Sequence, residues 1–391
     1  MTEVFVVDAA RTPFGSLGGA LADVPAPRLA APVIARLLER GGVRPEQVER
    51  VLIGEVLTAG VGQAPARQAM RAAGLPDSVP ATTVNKVCGS GLEAMALAAA
   101  SIRAGDVEIA VAGGMENMSL APYALARARQ GYRLGNGEVT DLLVGDGLTD
   151  PYDGRHMGAV ADAAAARTGI DRAAQDEYAI RSYRLAQQAI EGGIFEEELV
   201  PVRRRAGKGE ETVARDEEPF RVDLAKLPRL RPVFTEGGTV TAGNASSIND
   251  GAALALLASG EAVKSLRLAP KARLVATATH SMSPDRFTDA PVGAIEAVCR
   301  RAGLKLAEID LFEINEAFAL VPLIAIRELR LPPEKVNPNG GAVAIGHPIG
   351  ASGGRLAATV VRELRRRGLR YGLATLCIGG GEAVAAIFER I

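Results

Sequence analysis

The sequence predicts an α/β protein in which one strand–helix unit occurs twice, the two copies packed together, with a separate segment inserted in the first. Three observations carry this. Short apolar stretches alternate with amphipathic or Ala-rich helical patterns, the signature of strands joined by covering helices. The order of four elements in residues 29–114 returns in residues 291–380. From about residue 116 to 250 the texture changes. Charge runs (Glu196-Glu197-Glu198, Arg203-Arg204-Arg205, Asp216-Glu217-Glu218) sit among scattered Gly and Pro, which predicts a largely helical and irregular insertion.

In chain order, Val4, Phe5, Val6 and Val7 mark a strand over residues 3–10, ended by Arg-Thr-Pro-Phe-Gly. Residues 29–40 form an amphipathic helical pattern with Leu29, Val33, Leu37 and Leu38 near one face. It stops at Gly41-Gly42, a C-cap signal. Residues 48–55 predict a strand and residues 63–73 a helix ending at Gly74. Residues 82–105 read as an extended lead-in, a Gly-Ser-Gly corner and an Ala-rich helix over 92–103. Only Glu93 and Arg103 are charged in that helix, so burial on most sides is expected. Residues 107–113 are a continuous apolar strand, as for one covered on both faces, and the alternation predicts a parallel-rich sheet. An apolar strand returns at 252–258.

The last third repeats the first. Residues 303–316 line up with 42–55, setting Ile309, Phe312 and Ile314 over Val48, Val51 and Ile53. The preceding helices match, 291–301 with 29–40. The corner, Ala-rich helix, apolar strand and Gly-Gly of 89–114 have a counterpart in 351–380. The expected organisation is an N-terminal half over 1–117 and an inserted loop domain over 118–249. A return strand and linker of the first half follows over 250–270, and a C-terminal half over 271–391.

Composition narrows the function. The chain has 391 residues, 48% hydrophobic and 23% charged, which suits a soluble globular protein with a large core. A net charge of −1 with interspersed signs gives no nucleic-acid footprint. Cys88, Cys299 and Cys377, three cysteines far apart, are not a disulfide framework and fit a reducing compartment. No apolar run reaches the roughly 18 residues of a membrane span. The first residues enter a strand pattern with no basic leader. A cytoplasmic location with no membrane partner is therefore expected. Three histidines and three cysteines without close ligand spacing predict no metal site.

Chemistry concentrates in five stretches. Cys88 stands at the Gly-Ser-Gly corner, where unpaired backbone N–H groups at a helix start favour a thiolate. Gly89 and Gly91 remove Cβ atoms beside the sulfur, leaving room for a substrate backbone. Asn315-Glu316-Ala317-Phe318 ends a strand of the second half, where open α/β sheets place ligands. Residues 337–350 form a glycine-rich loop whose only titratable side chain is His347. Cys377-Ile378-Gly379-Gly380-Gly381 follows the last long apolar strand, and residues 239–250 are small, polar and Gly-bearing. Cys88, His347 and Cys377 all fall at equivalent ends of the duplicated unit. A Cys–His pair is a nucleophile with its base, and a second thiol can serve as a separate acid/base. The N–H groups of Cys88 and Gly379 are available to a developing oxyanion. Cys299 shares a helix face with Ile295 and Val298 and is expected to be a packing residue.

In order along the chain stand N-x-V-C-G-S-G, G-T-V-T-A-G-N-A-S, N-E-A-F, N-x-x-G-G-A-x-A-x-G-H-P-x-G-x-S-G and C-x-G-G-G. Together these resemble the thiolases, most closely those that act on acetyl-CoA. The resemblance implies the thiolase fold, with two duplicated βαβαβ-type halves packed together and a loop domain inserted in the first. It implies an acyl-CoA acyltransferase condensing two acetyl-CoA, and the reverse thiolysis, through a Cys88 acyl-enzyme. His347 would activate Cys88, and Cys377 would remove or return the α-proton. Asn315 would position a water in one oxyanion hole, and the amides of Cys88 and Gly379 would form the other. His156-Met157-Gly158 matches a loop-domain motif that places His156 and Met157 by the pantetheine and acyl group, with Leu148 nearby. Phe234, Ala242, Ser246, Ala317 and Phe318 match positions lining the CoA tunnel, and Arg221 matches an arginine at the adenine nucleotide. Coenzyme A and acyl-CoA enter as substrates and no cofactor is expected; homodimers or homotetramers are.

One departure stands out. Where the family has P-x-x-M-G-x-G-P, this chain has Pro284-Asp285-Arg286-Phe287-Thr288-Asp289-Ala290-Pro291, so Phe287 replaces a methionine near the acyl group. A rigid ring adapts less than a thioether. This leaves open a 3-ketoacyl-CoA thiolase for longer or functionalised chains. A non-catalytic acyl-CoA-binding subunit would be marked by a lost catalytic residue, and none is lost.

Overall fold

The computed structural model describes residues 2–207 and 209–391. Nine longer strands are β1 (Val4–Arg11), β2 (Arg50–Gly54), β3 (Ala81–Val84), β4 (Ile109–Asn117), β5 (Asn249–Ser259), β6 (Ala272–Ser281), β7 (Leu311–Ile314), β8 (Tyr371–Ile378) and β9 (Glu382–Arg390). They lie in one ten-stranded sheet in the order β7-β8-β9-β6-β1-β5-β4-β2-β3, with the two-residue strand Gly15–Ser16 pairing β5. The order is symmetric about the β1–β6 contact, where Phe5 pairs Arg273 and Val6 pairs Ala272. From that contact outward, β1, β5, β4, β2 on one side correspond to β6, β9, β8, β7 on the other. The isolated bridge of Val336 to Phe312 stands where β3 stands beside β2. The duplication read from the sequence is thus a structural one.

The expected parallel-rich sheet is corrected. Only β2–β3, β2–β4 and β7–β8 are parallel; the other pairs are antiparallel. Each half closes with a strand (β5, β9) that runs back against its neighbour. An apolar run buried on both faces looks the same in either direction, so the pattern carried no sign of this.

Helix α3 (Ser90–Ala104) and helix α8 (Ser352–Arg367) pack against each other and against strands of both halves. The outer face of the first half is covered by α1 (Ala26–Gly41) and α2 (Pro65–Ala72). The outer face of the second is covered by α6 (Ala290–Ala302) and α7 (Leu320–Leu329). The result is helix, half-sheet, helix pair, half-sheet, helix, with the half-sheets continuous through the β1–β6 contact. The Cys88 helix was expected to be buried on most sides. It buries Leu92, Met95, Ala98, Ala99 and Ile102 but leaves Leu97 exposed. Cys299 packs with Ile295 and Val298 on the buried face of α6, as the sequence indicated.

Gly89 and Gly91 have a different use from the one expected. A Cβ on Gly89 would overlap Ile378, and one on Gly91 would meet the Gly350 oxygen at 2.7 Å and the Gly354 nitrogen at 3.0 Å. Gly91 lets the two central helix starts approach backbone to backbone, and Gly89 leaves room for the Ile378 side chain at the end of β8.

The insertion is helical and irregular, as expected, with α4 (Met157–Thr168) and α5 (Arg172–Glu191) as its main helices. Its charge run at 203–205 lies in a hairpin, Val202–Ala206 with Gly209–Val213, where Arg204 pairs Glu211 at 2.9 Å. It is pinned to the core by buried charge. Arg11 donates to Glu198 at 2.6 Å and to both oxygens of Asp216 at 2.6 and 2.9 Å, all without solvent. Glu316 accepts from Tyr178 (2.9 Å), Ser182 (2.7 Å) and Asn337 (2.8 Å), tying α5 to the end of β7. None of the described helices is long and apolar enough to cross a membrane.

Candidate active site

The strand ends β7 and β8, the start of α3 and the loop before α8 meet around a cavity of about 200 Å³. Cys88, His347, Cys377 and Gly379 all line it. From the insertion come Leu148, His156, Met157, Phe234 and Ser246; from the second half, Ala317 and Phe318. Side chains spread over most of the chain converge on one place. Phe287 lines it too, 2% exposed. Arg221 and Ala242 are exposed and lie outside this lining. Asn315 is fully buried behind His347 and also outside it.

Cys88 sits two residues before α3, which begins at Ser90. The turn is held tightly. Val87, a β-branched residue, has φ +45°, a left-handed conformation that costs on the order of 1–3 kcal/mol. Asn85 accepts from the Val87 N–H at 3.0 Å, the Ser90 hydroxyl donates to the Val87 carbonyl at 2.6 Å, and Ser90 Oγ accepts from the Lys86 N–H at 2.8 Å. These bonds fix where the sulfur points.

The expectation of a lowered thiol pKa is corrected. Burial pushes Cys88 up to about 11, although the N–H groups of Gly379 and of Cys88 itself pull it down. Desolvation of a charge outweighs two amide donors here. Cys377, 1% exposed, is also raised well above the usual thiol range, by burial and by its neighbour Cys88. His347 is lowered to about 3 by burial and by the nearby guanidinium of Arg355, which pairs Glu313 at 2.8 Å. All three groups are neutral at rest.

His347 is held on several sides. Its backbone N–H donates to Asn249 at 2.9 Å. Its Nδ1 lies 2.5 Å from the Ser352 hydroxyl, and Asn315 Nδ2 is 3.4 Å from both ring nitrogens. Asn315 Oδ1 has no protein partner. Gly379 faces Met157, whose sulfur and methyl would lie 3.8 Å from a Cβ there. His156 accepts the Gly158 N–H at Nδ1 (3.0 Å) and stacks on Phe234 with centroids 4.6 Å apart. Phe318 stands edge-on to both Phe234 (6.5 Å) and Phe287 (6.1 Å). The cavity thus has a sulfur- and imidazole-bearing floor and an aromatic wall.

Sequence reasoning missed two carboxyls beneath this floor. Glu116 accepts from the N–H groups of Val56 (3.1 Å), Leu57 (3.1 Å) and Gly350 (2.9 Å), joining the end of β2 to the His347 loop. A Cβ on Gly114 would overlap the Gly350 carbonyl, so the loop needs glycine against glycine. Glu55 is fully buried and neither of its carboxyl oxygens has a partner. Burial, and then repulsion from Glu116, raise it from 4.5 to about 9. A raised carboxyl favours the fold while protonated, and that stability is lost as pH rises from the unfolded pKa through the folded one. The cost at pH 7 is on the order of 3 kcal/mol. Glu55→Gln removes it. The melting-temperature advantage of the variant over the parent should widen between about pH 5 and pH 9; an offset that stays constant with pH would refute this. Nothing in the local sequence pattern marked Glu55 or Glu116.

Among the described residues, no three His, Cys, Asp or Glu side chains cluster in a way that could hold a metal ion.

Comparison with known proteins fits this geometry. Residues 4–261 match the family model described as "Thiolase, N-terminal domain", and residues 268–390 match "Thiolase, C-terminal domain". The acetyl-CoA acetyltransferase of Chromobacterium violaceum is 49% identical over 390 residues, covering 99% of this chain and all of the relative. That of Cupriavidus necator is 49% identical over 392 residues, covering both chains fully. Among solved structures, the Bacillus anthracis acetyl-CoA acetyltransferase superposes with a TM-score of 0.98 at 41% identity, over 100% of this chain and 99% of that one.

Proposed function

Because the chain belongs to the thiolase family, we propose that Cys88, His347 and Cys377 divide one acyl transfer between them. The enzyme condenses two acetyl-CoA to acetoacetyl-CoA and CoA, and runs the reverse thiolysis. The observation that carries the division of labour is that two thiols and one imidazole line the same small cavity.

In the first half, His347 takes the Cys88 proton as the sulfur attacks the thioester carbonyl. The oxygen that becomes negative is met by the N–H groups of Cys88 and Gly379, donors that need no rearrangement. The carbon–sulfur bond to CoA breaks, and the departing sulfur takes the proton of Cys377. Cys88 now carries the acetyl group, His347 is protonated and Cys377 is a thiolate. In the second half, Cys377 takes a proton from the methyl carbon of a second acetyl-CoA. Burial raises its pKa, which makes the thiolate a stronger base for that carbon acid. The new carbanion attacks the acetyl carbonyl, the bond to Cys88 breaks, and the Cys88 sulfur recovers its proton from His347. Every group returns to its starting state. Asn315 Oδ1, buried and without a protein partner, supports the role of holding a water at the enolate oxygen.

The aromatic wall sets the acyl chain. Phe287 and Phe318 close a cavity of about 200 Å³, which suits acetoacetyl-CoA over longer ketoesters. In a panel of 3-ketoacyl-CoA substrates with CoA, kcat/KM should be highest for acetoacetyl-CoA. It should fall roughly tenfold or more across the first two added methylenes. Phe287→Leu should flatten that fall. A parent enzyme that cleaves six- or eight-carbon substrates fastest would favour the longer-chain reading.

A further inference from the structure

We propose that Ser352 is a positioning residue that selects the tautomer of His347, and so decides which ring nitrogen is the base. The inference rests on the reading of His347 as the base for Cys88. Ser352 is the first residue of α8 and is 1% exposed. Its hydroxyl lies 2.9 Å from the Pro348 carbonyl oxygen and 2.5 Å from His347 Nδ1. A hydroxyl has one proton to give. A carbonyl oxygen can only accept, so the proton goes to Pro348. The Ser352 oxygen is then left to accept, and Nδ1 must carry the hydrogen that it accepts.

Neutral imidazole has one N–H, and burial with Arg355 keeps His347 neutral. With the hydrogen on Nδ1, Nε2 keeps its lone pair. Asn315 does not choose between the tautomers, since its Nδ2 lies 3.4 Å from both ring nitrogens; the choice rests on Ser352. Pro348 has no N–H of its own and its carbonyl sits at the start of α8. The Ser352 hydroxyl therefore acts as a one-way link between a helix start and the imidazole. Without it, Nδ1 would lose its acceptor, the two tautomers would approach equal population, and the ring could turn.

Three variants and one spectrum test this in the full-length enzyme. Ser352→Ala should lower the single-turnover rate of Cys88 acylation by acetyl-CoA roughly 10- to 100-fold, part of the 10²–10⁴ that a placed base supplies, with KM nearly unchanged. Ser352→Thr keeps the hydroxyl and should recover most of the rate. With three histidines in the chain, ¹⁵N-labelled imidazole spectra are simple, and His347→Asn identifies the signals by their loss. The parent should show Nδ1 protonated and Nε2 bare, and Ser352→Ala should show a mixture. A parent spectrum with the proton on Nε2 would overturn the proposal, as would equal rate losses in Ser352→Ala and Ser352→Thr. If the parent formed no acyl-enzyme at all, the reading of His347 as base would fall, while the tautomer would still be read directly.

Discussion

Cys88→Ala is expected to lose at least about 10⁴-fold in turnover in both directions while still binding acyl-CoA. The loss is large because every step passes through a bond to that sulfur. Neither Cys377 nor Cys299 can substitute. Cys377 lines the cavity but is already committed as the acid and base of the reaction, and Cys299 is buried on an outer helix away from the cavity. The substitution removes one atom from a half-buried position before α3. The backbone bonds that hold the turn run through Asn85, Lys86, Val87 and Ser90, not through the thiol. Melting temperature and acyl-CoA affinity should therefore stay close to the parent. An acetoacetyl-CoA thiolysis assay and equilibrium binding separate these outcomes. Turnover within tenfold of the parent would remove Cys88 from the mechanism.

Cys377→Ala is expected to separate the two halves of the reaction. Acylation of Cys88 should slow by less than about tenfold, because a leaving thiol of ordinary pKa departs without an acid. Condensation should fall by at least about 10³-fold, because a carbon-bound proton does not leave without a base. The same variant should block thiolysis, which needs that proton returned to carbon. Exchange of labelled CoA into acetyl-CoA reports the first half alone, and acetoacetyl-CoA formation reports both. Equal losses in the two assays would mean that the two thiols do not have separate tasks.

The contrast between what the sequence showed and what it hid is physical. Cys88, His347 and Cys377 stood out because each stands near glycines in the sequence at equivalent corners of a repeated unit. The repeat itself was readable because strand and helix periods are local. Pairing direction was not local, so β5 and β9 running back antiparallel could not be read from their apolar runs. The sign of the Cys88 shift was not local either. A helix start predicts a lowered thiol, but the desolvation that reverses it comes from walls that are far away in sequence. Glu55 and Glu116 carry no local signal, because the contact that matters, Gly350 N–H to Glu116, joins residues 234 positions apart. Ser352 lay inside a recognised motif, yet its use depends on two distances that only the fold supplies. Phe287 was flagged by its departure from the family pattern, and the structure places it in the cavity wall.

The most direct measurement is intact mass followed by peptide mapping of Cys377→Ala after mixing with acetyl-CoA. With the second half-reaction blocked, one acetyl group should accumulate per chain, and it should map to the peptide that holds Cys88. No adduct, or an acetyl group on any other residue, would contradict the assignment of Cys88 as the sulfur at which the two halves of the reaction meet.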